Sequence, residues 1–535
     1  MKFDAMHYPF PSRRVVVHAK NGVVATSQYL AAQAGLDILK RGGNAIDAAV
    51  AAAACLTVVE PCSNGIGGDA FAIVWNEGKL CGLNSTGPAP KLLSAQTLCD
   101  MGHKQMPAYG WEPVTVPGIP AAWAALSGRF GRLSLSDTVT QAVNYAIEGF
   151  PVSPVVAQAW GRAAQVYKNR LGGGLEKHWY DTFTKDGAAP KSGEVFRIPD
   201  HAKTLREIGK TRAESFYRGE LAQRIAAFAR QTGGYLTESD LEAFQPQWVE
   251  PLSVRYRDHD VWELPPNGHG LVALMALNIL EGFDPFELGD PEAAHRQIEA
   301  VKLAFADGHE YIADPDYMKV DVAQMLSRKY ASSRRALIKN TAIIPEPGRF
   351  YDHGTVYLAT ADSAGNMVSY IQSNYMGFGS GLVVPGTGIA LHNRGANFCL
   401  DEQSANCLAP GKRPYHTIIP GFLTCRGKAV GPFGVMGGFM QPQGHVQVMI
   451  NMLDYGLNPQ AALDHPRWRW DNGLEVAAEE NFDGAYMNAL AQRGHIVRKE
   501  PSGGAFGRGQ IILRDDDGVL TAGTESRADS AAAGW

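Results

Sequence analysis

The amino-acid sequence predicts a layered α/β fold with antiparallel sheets at its centre, and three observations carry that prediction. Two stretches, near 70–83 and 355–373, read as strand pairs closed by short glycine turns. An alanine-rich segment near 44–57 reads as a helix buried between layers. Along the 535 residues, helices, a hairpin, more helices, and then strands with helices follow one another, as packed layers require.

Ser27–Lys40 is amphipathic, with Ser27 as the expected N-cap and Gly42-Gly43 as the stop. Asn44 caps the alanine-rich helix to Thr57, and the glycine turn Asn64-Gly65-Ile66-Gly67-Gly68 follows. Ala70–Trp75 and Lys79–Leu83 form a hairpin about Asn76-Glu77-Gly78. From Pro120 to about Glu310 the pattern is mostly helical. Examples are Leu135–Glu148 (entered at Ser136, stopped by Gly149), Glu220–Gln231 and Glu292–Tyr311, and a strand pair interrupts near Val254–Leu264. Between Asp314 and Tyr351 the periodicity fades, and Ile344-Pro345-Glu346-Pro347-Gly348 reads as an exposed linker. Helices return at Gln443–Tyr455 and near Tyr486–Arg493, and the last strands lie near Gln510–Leu513 and Val519–Gly523.

The linker leads into the second hairpin. Thr355–Asp362 and Met367–Ser373 are rich in β-branched and aromatic residues, and Ser363-Ala364-Gly365 suits a three-residue turn with glycine at positive φ. Asp362 and Asn366 are then partners, and counting outward sets Thr355 against Ser373. Their Cβ atoms should stand roughly 5 Å apart. A Thr–Ser pair is ordinary in a sheet, so this register alone leaves open whether the pair is structural or reactive.

Hydrophobic residues make up 45% of the chain and charged residues 19%, which places it among globular proteins. A net charge of −5 argues against a nucleic-acid partner. Seven cysteines without a C-x-x-C suggest free thiols in a reducing compartment. The start MKFDAMHYPFPSRR has no apolar core of a signal peptide, and the apolar run Ala48–Val59 is too short to span a bilayer. The expectation is a cytoplasmic protein with no membrane partner.

The glycine loops Gly377–Gly381, Gly434–Gly438 and Ser502–Gly509 lack phosphate-loop and dinucleotide spacing. There is no G-x-S-x-G elbow and no H-E-x-x-H, so neither cofactor nor metal is expected. Gly437-Gly438, just before a helix, could instead present backbone N–H groups to an oxyanion.

A set of ordered blocks resembles the γ-glutamyltranspeptidase family. They are Leu36–Val50 with its Arg41-Gly42-Gly43-Asn44-Ala45-Ile46-Asp47, Gly67-Gly68, Thr115-Val116-Pro117-Gly118, and Ala306-Asp307 with Tyr311, Asp314-Pro315 and Asp316. Gly411-Lys412-Arg413-Pro414, Gly437-Gly438 and Asp454-Tyr455-Gly456-Leu457 complete the set. The resemblance implies an N-terminal nucleophile hydrolase, a four-layer αββα sandwich of the α/β class. It implies cleavage between Gly354 and Thr355, giving a large subunit 1–354 and a small subunit 355–535 that together form one domain. The partners form an αβ heterodimer; whether such heterodimers pair is left open. Thr355 would be the nucleophile, Ser373 its orienting hydroxyl, and Gly437 and Gly438 the oxyanion donors. The new α-amine, ordinarily titrating at about 7.7–8.0, would take the hydroxyl proton.

The family's glutamyl clamp is altered throughout. No arginine precedes Ala89-Pro90, and Tyr415, His416 and Thr417 follow Arg413-Pro414 where a serine pair is usual. Asn397 replaces an acidic residue before Phe398, and Tyr375 replaces an asparagine. Arg394, in Asn393-Arg394-Gly395, stands where the family has an amide and suits bidentate capture of a carboxylate. The expected substrate site is Arg394 with Tyr375, His416, Thr417 and Asn393, which resembles the branch that includes oxamate amidohydrolase. The expectation is hydrolysis of a small carboxylate amide, best oxamate. The alternatives are γ-glutamyl hydrolysis or transfer, a β-lactam side-chain acylase, and an unprocessed binding protein.

Overall fold

The computed structural model describes residues 13–168, 170–171, 174–345 and 355–535. Gly354, the carbonyl side of the expected cleavage, and linker residues 346–353 lie outside the described residues.

Two seven-stranded sheets form the centre. The first runs, edge to edge, Ala531–Gly534, Gly22–Thr26, Val356–Asp362, Met367–Ser373, Asp69–Asn76, Lys79–Ser85 and Gln247–Val249. The second runs Val17–Ala19, Leu520–Thr524, Arg508–Arg514, Lys428–Met436, Gly421–Cys425, His259–Glu263 and Leu252–Tyr256. All pairings within both are antiparallel. Helices Tyr29–Lys40 and Ala45–Val59 cover the first sheet, with Leu135–Glu148 packed on Ala45–Val59; Gly270–Leu280 and Met440–Leu453 cover the second, with Pro291–Tyr311 packed on Gly270–Leu280.

Strand periodicity explains this αββα layering. In Val356–Asp362, Val356 and Leu358 pack toward the helices, while Tyr357, Ala359 and Ala361 join the core between the sheets. Every residue of that strand is buried, so it reads as a nearly continuous apolar run. In the second sheet Phe433 and Val435 face their helices and Met436 faces inward. Gly434 has no side chain because the Tyr357 ring lies there: a Cβ would stand 2.5 Å from the ring. That contact sets Val356–Asp362 of one sheet over Lys428–Met436 of the other.

Several boundaries differ from the sequence reading. Gln28, not Ser27, caps the first helix, its Oε1 accepting the Leu30 and Ala31 N–H groups, while Ser27 Oγ donates to Glu60 Oε2 at 2.6 Å. Ser134, not Ser136, caps Leu135–Glu148, because Ser134 has the extended backbone a cap needs. The region after Asp314 holds short helices Val322–Met325 and Arg328–Arg335, the latter entered by Ser327 and too polar to show an apolar period. The edge strand Ala531–Gly534 was hidden by its alanines, which carry no β-branched signal.

Asn44 caps Ala45–Val59 as expected. Its Oδ1 accepts from Ile46 and Asp47, Asp47 Oδ2 accepts the Asn44 N–H, and Asn44 Nδ2 donates to Phe130 O. Asn44→Ala should cost about 1–2 kcal/mol of stability, read from urea unfolding. An unchanged midpoint would mean that the helix is held by burial alone.

Candidate active site

The hairpin register runs from Val356↔Gln372 to Ala361↔Met367, with Gly365 at φ +86° closing the turn. One step further, Thr355 meets Ser373, and their hydroxyl oxygens are 3.2 Å apart. Thr355 is 1% exposed and Ser373 is fully buried. Ser373 is in turn paired with Asp69 on the next strand. Thr355, Ser373 and Asp69 thus stand in a row across three strand ends.

Ser373 Oγ accepts the Tyr375 N–H at 2.7 Å. Tyr375 holds φ at +76°, a left-handed backbone that costs a non-glycine residue of order 1–3 kcal/mol and recurs at functional sites. Its hydroxyl donates to Asn397 Oδ1, and its ring lies 4.4 Å from the Arg394 guanidinium.

Asp69 was not singled out from the sequence, yet it gathers the charged and imidazole side chains beside Ser373. Its carboxylate accepts from His416 Nε2 at 2.7 Å and from Arg394 Nε and Nη2 at 3.3 and 3.5 Å, and His392 Nδ1 lies 3.4 Å away. Burial would raise this carboxyl, but His416, Arg394 and His392 together hold it well below the usual range. Arg394, fully buried, also donates through Nη1 to Thr417 Oγ1 at 2.7 Å. His416 Nδ1 accepts the Ile418 N–H, so Nε2 carries the proton given to Asp69. Asn393 braces the neighbouring turn: its Oδ1 accepts from Met376 N–H and its Nδ2 donates to Ala108 O. The signal that could have found Asp69 is its place directly after Gly67-Gly68. These glycines let the loop pack against Ala390 and Ser373, whose carbonyl oxygens would lie 2.3 and 2.4 Å from a Cβ.

Gly437 and Gly438 end the strand Lys428–Met436 with φ of +141° and +56°. Their carbonyls accept Met440 and Gln441 N–H groups and start the next helix. Neither glycine N–H is engaged in a hydrogen bond among the described residues. The turn therefore offers two backbone donors to an anion.

The γ-glutamyltranspeptidase family model matches residues 31–535, and the chain belongs to that family. It is an autoprocessed N-terminal nucleophile hydrolase. Relatives include the glutathione hydrolase-like YwrD proenzyme of Bacillus subtilis, 37% identical over 96% of this chain and 98% of its own length. The oxamate amidohydrolase proenzyme of Klebsiella pneumoniae is 34% identical over 97% and 100%. The crystal structure of cephalosporin acylase from Bacillus halodurans superposes with a TM-score of 0.97 at 57% identity, over 100% of this chain and 99% of that one. The seven cysteines are unpaired thiols, and no described helix is long and apolar enough to cross a membrane.

Burial pushes His201, His309 and His416 down to about 4, and His445 and His495 to about 3. These rings stay neutral in the fold while the unfolded chain takes up protons near 6.5, so stability falls as pH drops from about 6.5 toward 4. Asp69 acts lower: its contribution is present above 3.8 and is lost only below that pH. The urea midpoint should therefore be lower at pH 5 than at pH 7.5. Equal midpoints would mean that the folded protein protonates these rings.

Proposed function

We propose that the chain cuts itself between Gly354 and Thr355, and that the new N-terminal threonine hydrolyses the amide of a small carboxylate, with oxamate the best candidate. The observation that carries this reading is Thr355 Oγ1 at 3.2 Å from Ser373 Oγ, at a strand start and in a family of proenzymes. In the precursor the hydroxyl attacks the Gly354 carbonyl, and water then releases the large fragment. In the mature enzyme the α-amine of Thr355 takes the proton of its own hydroxyl as Oγ1 attacks the substrate carbonyl. Gly437 and Gly438 N–H groups stabilise the oxyanion; losing one such donor typically costs about 10²–10³ in rate. The C–N bond breaks, the amine departs with the proton, and water hydrolyses the acyl ester.

Arg394 serves the carboxylate of the acyl group. Asp69 and Thr417 aim it, His416 completes the hydrogen bonds to Asp69, and Tyr375 stacks on it. Asn393 braces the turn that carries it. In oxamate the carboxylate is one bond from the scissile carbonyl, and the products are oxalate and ammonia. Support comes from the Klebsiella relative named for that activity, and from the replaced glutamyl clamp, which weighs against glutathione. A second reading, an acylase of larger amides, is favoured by the 57% identical cephalosporin acylase. The fragments 1–354 and 355–535 stay together as an αβ heterodimer, and the thiol state of the cysteines fits a cytoplasmic setting.

Purified protein should give two bands on a denaturing gel, the smaller beginning at Thr355. Thr355→Ala should remain one chain and release no ammonia from oxamate; cleavage of that variant would refute the nucleophile assignment. Arg394→Ala should raise KM for oxamate about tenfold or more, as loss of a charge-assisted hydrogen bond would, with self-cleavage less affected. Equal loss of both would make Arg394 purely structural.

A further inference from the structure

Loop 399–407, with the sequence CLDEQSANC, begins and ends on a cysteine. The backbone joins the two ends. The Cys399 N–H donates to Asn406 O at 3.2 Å and the Leu408 N–H donates to Cys399 O at 2.9 Å, so Cys399 and Cys407 are partners in an isolated parallel bridge. Neighbouring strands lie about 4.8 Å apart. A disulfide needs Cα atoms about 4.4–6.8 Å apart and side chains that leave toward each other. Bridge partners share a face, so the bridge supplies both conditions.

Both thiols are free and partly exposed. Each makes only a long contact: Cys399 Sγ to Asp401 O at 3.9 Å, and Cys407 Sγ to Leu408 O at 3.8 Å. A thiol is a weak donor, so turning either side chain away gives up little. The sulfurs already sense each other. Burial and the adjacent Cys399 thiol push the Cys407 thiol up, against the opposing charge of Lys412. Other cysteines are placed differently: Cys81 is paired with Val74 and Cys425 with Lys428, while Cys55 and Cys62 are buried.

The base of the loop is tied to the surroundings of Arg394. Asn406 Nδ2 donates to Asn397 O at 2.6 Å, and its Oδ1 accepts the Tyr415 N–H at 2.9 Å. Asn397 Oδ1 accepts the Tyr375 hydroxyl, and the Tyr375 ring stacks on Arg394. Buried Lys412 donates through Nζ to Ala405 O and Cys407 O at 2.6 and 2.8 Å. Asp401, Glu402 and Gln403, between the cysteines, are exposed. A solvated tip thus stands on a hydrogen-bonded base.

We propose that Cys399 and Cys407 are a reversible modification site, a dithiol that small-molecule disulfides convert to an internal disulfide, and that the bond stiffens the base of the loop against Asn397 and Tyr415. One thiolate attacks a sulfur of the oxidant, which leaves a mixed disulfide and releases one small thiol. The second thiolate attacks the protein sulfur of that mixed disulfide, forms the Cys399–Cys407 bond and releases the other small thiol. The two thiol protons and two electrons leave with the small thiols. In a reducing compartment the pair stays open, and it closes when the surrounding thiol–disulfide balance shifts.

The test uses the whole protein in redox buffers of 2-mercaptoethanol and bis(2-hydroxyethyl) disulfide, reagents with no amide to cut. Remaining thiols are alkylated and the peptides mapped by mass spectrometry. Oxidation should remove the Cys399 and Cys407 thiols together, give one linked peptide and leave no mercaptoethanol on either residue; dithiothreitol should restore both. Exposed Cys99 is the control in the same sample and should keep a mercaptoethanol adduct. Separate adducts on Cys399 and Cys407, or thiols unchanged at a ratio that modifies Cys99, would overturn the disulfide. Hydrogen exchange of peptides spanning 397–415 checks the stiffening: the Leu408 and Tyr415 amides should exchange more slowly in the oxidised protein, since local opening becomes rarer. Equal exchange in the two states would overturn that role.

Discussion

The antiparallel ladder between Val356–Asp362 and Met367–Ser373 fixes where Thr355 and Ser373 stand. A slip of one residue would turn Thr355 away from Ser373 and bury the wrong set of side chains. The slip is prevented from three directions. Gly365 takes the positive φ of the turn, Asp362 accepts the Asn366 N–H and the Ala45 N–H of the neighbouring helix, and Tyr357 occupies the gap left by Gly434. Position is thus set by packing and by hydrogen bonds remote from the chemistry, which lets the strand end itself carry strain at Tyr375.

Charge around the Thr355–Ser373 pair is arranged unevenly. On the Ser373 side Asp69 is surrounded by Arg394, His416 and His392, with hydrogen atoms assigned by the surrounding backbone. Burial pushes the His416 ring down to about 4, so beside the charged guanidinium of Arg394 the carboxylate meets an imidazole that holds it by a hydrogen bond. At the end of the alanine-rich helix the pairing is looser, since Glu60 and Arg508 stand 3.7 Å apart without a hydrogen bond between them.

The sequence revealed the ladder because turn chemistry and alternation are local: Gly365 and the two β-rich runs suffice. The alanine helix was equally legible, since its cap and its composition both point to burial. Asp69 was not legible, because it matters through partners far away in the chain, at residues 392–416. Small residues misled at the margins. Ala531–Gly534 forms a strand by backbone pairing alone, and Ser27 spends its hydroxyl on Glu60 instead of on its helix. The four-layer arrangement came from family resemblance; the alternation of core residues on each strand gives it a physical basis.

Both sheets draw strands from before and after residue 355. In the first, Gly22–Thr26 separates Ala531–Gly534 from Val356–Asp362; in the second, Val17–Ala19 and the pair Leu252–Tyr256 and His259–Glu263 flank four strands of the C-terminal part. A chain cut before Thr355, as proposed, would therefore be two polypeptides woven into shared ladders, unable to part without dismantling both. Assembly happens while the polymer is still continuous, when every encounter is intramolecular. After the cut, a melted molecule would have to find its other half by diffusion and repay the rotational and translational freedom of a second body, about 4–15 kcal/mol. Heat resistance would then be governed by how slowly the woven sheets open, as a lifetime and not as an equilibrium.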